Sequence, residues 1–262
     1  MKKALIISTY NRPKALALCL ESVKGQSMLP DEVIIADDGS KEDTARLIEE
    51  ISKEFPVPLK HVWHEDTGFK LAQIRNKAIA TTDADFIIQI DGDVILHKNY
   101  IEDFISQATP GMVILGSRVG LGPELTRKLE DSGKLPKIYP WTRGINQKPT
   151  RAIYLKAGRK MSIRYKFDQN KGFGCSMGYW RKDFLAVNGY DESFEGWGCE
   201  DRDLVRRLRK NGVHNHKLLF IGIVYHLWHK EADRSKHQTN REICYTHNND
   251  VIVCEKGISQ YL

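Results

Sequence analysis

The chain has 262 residues, 41% of them hydrophobic and 28% charged, which is the balance of a folded globular protein rather than of a low-complexity one. Its net charge of +6 suits an anionic substrate, a nucleic acid or the acidic face of a membrane, without choosing among them. The apolar run at 218–224 is far shorter than the roughly 20 residues that span a bilayer, so no membrane-spanning helix is expected.

The amino terminus and the cysteines bear on the cellular compartment. Residues 1–7 have a basic start followed by only a short apolar stretch, which is typical of a buried strand rather than of a signal peptide. The five cysteines are scattered and lack the spacing of a metal site. We therefore expect reduced thiols in a cytoplasmic enzyme.

In chain order, the first 118 residues alternate apolar, strand-like runs with helix-like segments. The predicted strands are 4–8, 32–36, 59–63, 85–90 and 112–117, and the predicted helices are 13–26, 42–55, 71–80 and 99–107. Ser40 is expected to cap the second of these helices. Strands separated by such helices indicate crossover units, so we predict an α/β fold with a mostly parallel central sheet flanked by helices.

The composition changes after this half. Residues 119–171 are rich in Lys and Arg and mostly aperiodic, which indicates a basic lid or binding loop, with a disordered surface insertion as the alternative. Periodicity returns from residue 172, with helices expected at 181–187 and 200–211, Gly212 as a helix stop, and a strand at 218–225. The tail, 231–262, is polar and shows no clear pattern.

Polar residues follow three of the predicted strands at the point where each ends. They lie at 9–12, 37–40 and 91–93. Because ligands bind at the carboxyl ends of the strands in a parallel sheet, we expect these groups to share one site. Each group taken alone could instead be a turn or a helix cap.

Asp91 and Asp93 flank Gly92 directly after an apolar strand, so both carboxylates can converge on one small cation. Oxygen ligands of this kind suit Mg²⁺ or Mn²⁺, which in turn bind substrate phosphates. A charged turn is the alternative interpretation.

Glu200 and Asp201 open a predicted helix, where carboxylates are common because the helix dipole favours them. The preceding Gly196, Trp197 and Gly198 point beyond that, because they allow the backbone to approach a ligand and the indole to stack on a sugar. One of the two carboxylates could then take a proton from an attacking hydroxyl.

His226 ends the late predicted strand. A neutral imidazole is a common ligand of transition metals, and a histidine beside a carboxylate would favour Mn²⁺ over Mg²⁺. A packed, hydrogen-bonded histidine is the alternative.

Together these stretches resemble the inverting family 2 glycosyltransferases of the GT-A fold, with a second half similar to the galactosyltransferase-type C-terminal module of chondroitin-polymerase-like enzymes. The resemblance covers about residues 3–230. The matching stretches are 8–12, 37–40, 75–76, 91–93, 189–194 and 196–201.

We expect one continuous GT-A domain in four parts. These are a nucleotide-sugar-binding half (1–118), the basic segment (119–171), an acceptor and catalytic half (172–230) and the tail (231–262).

The resemblance also implies a role for individual residues. Asp201 matches the general base and Glu200 the residue that contacts sugar hydroxyls, while Trp197 and Trp180 would offer stacking surfaces. Asp93 and His226 would hold the metal, with His229 as a substitute for the histidine. The nucleotide-sugar would be bound by Ser8, Tyr10, Arg12, Asp38, Arg75, Asp91, Gly92 and Asp93.

The implied reaction moves a hexose or N-acetylhexosamine from a UDP-sugar to a hydroxyl of a glycan or lipid-linked acceptor, forming a β-glycosidic bond. Mn²⁺ is expected rather than Mg²⁺, with no nucleic-acid partner and with peripheral association to the inner face of the membrane left open. A sugar nucleotidyltransferase and a non-catalytic carbohydrate-binding protein remain alternatives. A sugar nucleotidyltransferase usually carries a glycine-rich basic loop after its first strand. At that position this chain has Tyr10, Asn11, Arg12 and Pro13, which argues against this alternative.

Overall fold

The computed structural model describes residues 1–161, 174–247 and 249–262. The strands are β1 (Lys3–Thr9), β2 (Glu32–Asp37), β3 (Leu59–Trp63), β4 (Phe86–Asp91), β5 (Val94–Leu96), β6 (Met112–Leu115), β7 (Ser117–Leu121), β8 (Ile145–Gln147), β9 (Ser176–Trp180), β10 (His214–Lys217) and β11 (Ile223–His226). The helices are α1 (Pro13–Lys24), α2 (Glu42–Ser52), α3 (Leu71–Ala80), α4 (Tyr100–Ser106), α5 (Pro123–Ser132), α6 (Gly158–Met161), α7 (Arg181–Ala186), α8 (Glu200–Lys210) and α9 (His237–Glu242).

Within this described part, a seven-stranded sheet has the order β10-β6-β9-β4-β1-β2-β3. Its neighbouring strands run parallel except where β9 pairs antiparallel with β4 and β6. The predicted α/β fold with a mostly parallel central sheet is therefore confirmed.

The central strands are buried on both faces, which explains why they read as continuous apolar runs. In β1, Ala4 and Ile6 pack into one cluster with residues of α3 and α8, while Leu5 and Ile7 pack into another with residues of α1 and α4. The carboxyl ends of β1, β2 and β4 meet at one edge, between these two helical layers.

A second sheet, with the order β5-β11-β7-β8 in the described residues, lies beyond that edge. The predicted strand 112–117 is corrected here, because the chain leaves β6 for β7 at Gly116. A Cβ at Gly116 would overlap the Ser176 hydroxyl, and Ser117 N donates to Gly222 O at 2.8 Å instead of continuing β6. A glycine is therefore needed where the chain changes sheets.

The predicted late strand at 218–225 is also corrected. The chain forms β10 before this run and β11 at its end, and between them Phe220 (φ 63°) and Gly222 (φ 60°) take left-handed backbone conformations that interrupt a regular strand. Ser40 does not cap α2 either, since the Ser40 hydroxyl accepts a hydrogen bond from Asn11 N at 2.8 Å and Lys41 precedes the helix.

The basic segment contains regular elements over the residues described up to 161, namely β7, α5, β8 and α6; its remaining predicted part, 162–171, lies outside the described residues. Arg159 Nε donates to Asp103 Oδ1 at 2.8 Å, and the Tyr154 ring stacks on His97 at 4.1 Å. These contacts fasten the segment to α4. Each helix of the described chain is too short or too polar to traverse a bilayer.

Candidate active site

A cavity of about 520 Å³ opens where β1, β2 and β4 end. The side chains that line it come from both halves of the sequence. They include these predicted site residues: Ser8, Tyr10, Arg12, Asp38, Arg75, Asp91, Gly92, Asp93, Trp197, Glu200, Asp201, His226 and His229.

Trp180 is the exception, and its expected stacking role is wrong for this cavity. Because β9 runs antiparallel to β4, Trp180 pairs with Phe86 at the far end of that strand from Asp91. The Trp180 ring meets the Phe86 ring edge-on at 5.7 Å and packs on the core.

The Asp91-Gly92-Asp93 corner joins the two sheets. Asp91 ends β4, and Gly92 N donates to Ser8 O at 2.7 Å, so the corner is pressed against the end of β1. A Cβ at Gly92 would lie 3.0 Å from that same oxygen, which explains the glycine. The corner turns the Asp93 carboxylate toward β11, where Leu227 N donates to Asp93 O at 2.9 Å.

Asp93, His226 and His229 form a cluster whose ligating atoms all lie within 4.8 Å of one another. Asp93 Oδ1 lies 3.5 Å from His226 Nε2, and Asp93 Oδ2 lies 3.2 Å from His229 Nε2. Burial, with the Arg118 charge nearby, lowers the pKa of His226 to about 3, so its imidazole is neutral and able to bind a metal. Asp93 Oδ1 is buried without a hydrogen-bond partner among the described residues. One carboxylate and two imidazoles are a donor set that fits a divalent transition ion.

Arg75 holds carboxylates from both halves of the chain and is only 1% exposed. Its Nη2 donates to Asp91 Oδ1 at 3.0 Å, its Nη1 to Asp201 Oδ1 at 2.9 Å, and its Nε to Ser8 Oγ at 3.0 Å. Burial raises the pKa of Asp91, while the charge of Arg75 opposes that rise. The guanidinium was expected to bind the nucleotide-sugar; in the structure its hydrogen bonds go to these protein groups.

Asp201 and Glu200 begin α8 and have different surroundings. Asp201 Oδ1 also accepts from Tyr190 Oη at 2.7 Å, and a Cβ at Gly174 would overlap the Asp201 carboxylate. Glu200 Oε2 is buried without a hydrogen-bond partner in the described part of the chain. Burial, together with the neighbouring charge of Asp201, raises the pKa of Glu200 to about 8. Both carboxylates lie near Arg75, at 2.9 Å for Asp201 and 3.8 Å for Glu200, and Glu200 can hold a proton near neutral pH.

The turn before α8 depends on its glycines. Gly196, Gly198 and Cys199 all have positive φ angles (74°, 104° and 78°), and Gly196 lies under Lys236. Trp197 is 37% exposed, and the Arg234 guanidinium lies over its indole at 4.8 Å. The glycines thus serve the turn and its contact with the tail.

The opposite end of the cavity is formed by the loops after β1 and β2. Asp38 accepts hydrogen bonds from His64 Nε2 at 2.7 Å and Lys70 N at 3.0 Å, and burial raises its pKa. Tyr10 Oη donates to Asp66 Oδ2 at 2.8 Å and remains half exposed. A flat ring and a carboxylate placed in this way can bind a heterocyclic base.

Arg118 and Tyr190 are among the residues of the site that were not singled out from the sequence. Arg118 lines the cavity and directly follows the predicted strand 112–117, a position that could have indicated it. Tyr190 is fully buried and was seen only as part of a motif. Arg12 also forms ion pairs that the sequence did not predict. Its guanidinium lies 3.1 Å from an Asp93 carboxylate oxygen and 3.0 Å from a Glu130 carboxylate oxygen.

Two family models match this chain. The model of glycosyl transferase family 2 matches residues 4–172, and one described as the N-terminal domain of galactosyltransferase matches residues 158–230. The validoxylamine A glucosyltransferase of Streptomyces hygroscopicus subsp. limoneus is 27% identical over 226 residues, covering 80% of this chain and 48% of that protein. The chondroitin synthase of Pasteurella multocida (strain Pm70) is 24% identical over 255 residues, covering 91% of this chain and 26% of that protein. The chain thus spans about half of the first relative and about a quarter of the second.

Solved structures share the fold. S. aureus TarS in complex with UDP superposes with a TM-score of 0.63 at 15% identity, covering 100% of this chain and 68% of that chain. The mannosyltransferase PcManGT from Pyrobaculum calidifontis, in complex with GDP-Man and Mn²⁺, superposes with a TM-score of 0.60 at 14% identity, covering 93% of this chain and 61% of that chain. At such identities the likeness concerns the fold alone.

Proposed function

Because the chain belongs to glycosyl transferase family 2 and carries a galactosyltransferase-type C-terminal module, we propose that it moves a hexose or N-acetylhexosamine from a UDP-sugar to an acceptor hydroxyl. The observation that carries this proposal is the shared cavity. It holds a cluster at Asp93 that could bind a metal and a pair of carboxylates at Glu200 and Asp201. Arg75 links the two regions, because it donates to Asp201 and to Asp91, which is next to the cluster in the chain.

The donor nucleotide is proposed to bind at the end of the cavity formed by Tyr10 and Asp38. Tyr10 offers a half-exposed ring, and the Asp38 carboxylate can accept from a base N–H. The choice of UDP is supported by the fold that this chain shares with TarS, which was solved in complex with UDP. PcManGT, solved with GDP-Man, is the reason to test other nucleotides as well.

Asp93, His226 and His229 would hold a divalent cation, with Asp91 beside them. When bound, such an ion would neutralise the charge that develops on a departing diphosphate. We propose Mn²⁺ over Mg²⁺, because imidazole ligands suit the former and Mg²⁺ prefers oxygen ligands.

Asp201 is the proposed general base. It would accept the acceptor hydroxyl proton while that oxygen forms a bond to the anomeric carbon and the bond from this carbon to UDP breaks. A single displacement of this kind inverts the anomeric carbon, so an α-linked donor gives a β-linked product. Tyr190 and Arg75 orient the carboxylate through its Oδ1. Glu200 is proposed to contact the sugar hydroxyls, and its raised pKa makes it the second candidate for the base.

The acceptor is proposed to be a glycan or a lipid-linked saccharide that reaches the cavity beside Trp197. The indole is partly exposed, and aromatic rings offer the flat apolar surface on which sugars stack. Arg234 already covers one face of this ring, so an acceptor would use the other face or displace the guanidinium.

A sugar nucleotidyltransferase and a carbohydrate-binding protein are the two alternative functions, and a turnover assay with UDP-sugars distinguishes them from a transferase. A sugar nucleotidyltransferase would form UDP-sugar from a sugar phosphate and UTP, and a carbohydrate-binding protein would turn over neither substrate. Each UDP-sugar of a panel should be incubated with the protein and Mn²⁺, and the released UDP measured. Transferases commonly pass their donor to water slowly, so release that requires Asp201 would support the proposal. Absence of release with every donor and acceptor tried, together with UDP-sugar synthesis, would overturn it.

A further inference from the structure

The positive charge of this protein is concentrated in one segment. Residues 133–161 contain eight Lys and Arg residues and no Asp or Glu, which leaves the rest of the chain with a net charge of −2. The cations are Lys134, Lys137, Arg143, Lys148, Arg151, Lys156, Arg159 and Lys160. The surplus of +6 therefore comes from this one segment of the chain.

The two acids that immediately precede the segment pair with cations outside it. Glu130 pairs with Arg12 at 3.0 Å, and Asp131 pairs with Lys14 at 3.1 Å. Arg159 is directed inward, to Glu102 and Asp103. In the described ranges, no ion pair joins an acid to Lys134, Lys137, Arg143 or Lys156.

The same segment exposes large apolar side chains among these cations. Trp141 is 79% exposed, and its ring stacks on that of Tyr139, itself 48% exposed, at 5.3 Å with an interplanar angle of 3°. Leu135, Ile153 and Leu155 are exposed as well. We refer to the exposed side chains of residues 134–156 as the basic face.

The basic face is supported by the body of the protein. Ile138 and Ala152 are buried in one apolar cluster with residues of β7 and α5, so the parts of the segment that bear Tyr139 and Ile153 are anchored to the same core. Leu155 N donates to Phe220 O at 2.9 Å, and Phe220 is also exposed. These contacts hold parts of the segment against the core, which reduces the conformational entropy that binding would have to remove.

The mixture of side chains distinguishes among anionic partners. Cations alone would suit any polyanion, and stacked aromatic rings alone would suit a sugar. Exposed leucine and isoleucine gain nothing from a hydrated glycan or a phosphodiester backbone, whereas they and the aromatic rings can enter the boundary between headgroups and acyl chains. We infer that the basic face docks the protein onto the surface of an anionic lipid bilayer. This inference deepens the proposed function and rests on it, because the proposed acceptors include a lipid-linked saccharide.

Sedimentation of the full chain with vesicles tests this inference. One set of vesicles is phosphatidylcholine alone, and the other contains about one third phosphatidylglycerol. The protein should sediment with the second set only, and less so as salt is added. Replacing Lys134, Lys137 and Arg143 by Glu should lower the partition coefficient at least about tenfold, because each cation near such a surface adds to the attraction. The double variant Tyr139→Ala/Trp141→Ala should lower it as well.

Matched variants separate this face from net charge. Lys53, Lys98 and Lys182 are exposed lysines outside the segment, and their replacement by Glu makes a similar change in charge. Tyr245→Ala serves as the aromatic control, since Tyr245 is 40% exposed on the tail. The inference fails if the control triple variant loses as much vesicle binding as the first, if neutral vesicles bind equally well, or if the variants lose binding to an acidic polysaccharide or a nucleic acid but not to vesicles.

Thermal melts would establish that each variant is folded. UDP release, measured with a soluble acceptor, separates the hypothesis of a lipid docking surface from the hypothesis of transferase activity. Release without vesicle binding overturns only the docking surface, whereas vesicle binding without release on any donor overturns only the transferase.

Discussion

Arg75 and Asp201 are 126 residues apart in the chain, yet Arg75 Nη1 lies 2.9 Å from Asp201 Oδ1. The same guanidinium donates to Asp91 at 3.0 Å. One buried cation thus holds a carboxylate from the metal corner and the proposed base in a single network, and it sets the distance between the two halves of the proposed chemistry.

Arg75→Met should destabilise the protein by about 3–5 kcal/mol, because it leaves buried carboxylates without their cation. Urea denaturation measures this change in the free energy of unfolding. Arg46→Met is the matched control, since Arg46 is 68% exposed and pairs with Glu42 at the surface, and should cost about 0–1 kcal/mol. Equal losses from the two variants would mean that the Arg75 network does not stabilise the fold.

Asp201→Asn should lower the transfer rate by about 10²–10⁴-fold while leaving the affinity for UDP close to that of the wild type. The amide keeps the shape and the hydrogen bonds from Tyr190 and Arg75 in large part but cannot accept the proton. Steady-state kinetics and calorimetry measure the two quantities. Glu200→Gln is the companion variant, and we expect it to weaken acceptor use more than the chemical step. Near-normal turnover in Asp201→Asn, with none in Glu200→Gln, would reassign the base to Glu200.

Glu200 should make folding depend on pH. Its folded pKa of about 8 lies above its ordinary value of 4.5, so the folded state retains a proton that the unfolded state releases between these values. Its contribution therefore favours folding at low pH and is lost as the pH rises from about 4.5 to about 8.

Glu200→Gln removes this titration, so the melting temperature of the variant relative to wild type should increase across that window. Scanning calorimetry at several pH values in EDTA tests this expectation. A difference in melting temperature that is constant with pH would show that Glu200 ionises normally in the folded protein.

Asp93→Ala and His226→Ala should each weaken UDP binding when Mn²⁺ is present and change it little in EDTA. The reason is that both side chains belong to the cluster that would hold the ion. Titration calorimetry with and without Mn²⁺ makes the comparison. His214→Ala is the control, since His214 is exposed on β10, outside this cluster. Affinities for UDP that respond to Mn²⁺ equally in all the variants would place the ion elsewhere.

Gly174→Ala should impair transfer more than UDP binding, because the new methyl group would overlap the Asp201 carboxylate and displace it. Gly25→Ala is the control, since a Cβ there meets nothing closer than 3.8 Å at the end of α1. Comparison of kcat with the Kd for UDP tests the prediction. A Gly174→Ala enzyme with normal kcat would indicate that the Asp201 position is not critical.

The buried parallel strands were predictable because each reads as a short apolar run. β1, β2 and β4 are covered on both faces, so most of their residues are apolar. The edge strand β10 (His214–Lys217) and the short β8 are mostly polar and were missed. The strand β5 is apolar and buried, but its three residues are too few to be recognised as a strand. Trp180 was misplaced for a related reason, since nothing local reveals that β9 runs antiparallel to its neighbours.

Local patterns were sufficient for the order of strands and helices from β1 to β4 and for the polar groups at the strand ends, because burial and backbone preference act on neighbouring residues. They could not establish that Arg75 lies between Asp91 and Asp201, or that His229 stands beside Asp93 as closely as His226 does. Those contacts join residues distant in the chain, and they form because the β5–β11 pairing and the packing of α3 and α8 on one face of the sheet bring the residues together. The chemistry of each side chain can be read from its identity, whereas its partners, and therefore its pKa and its role, depend on how the layers pack.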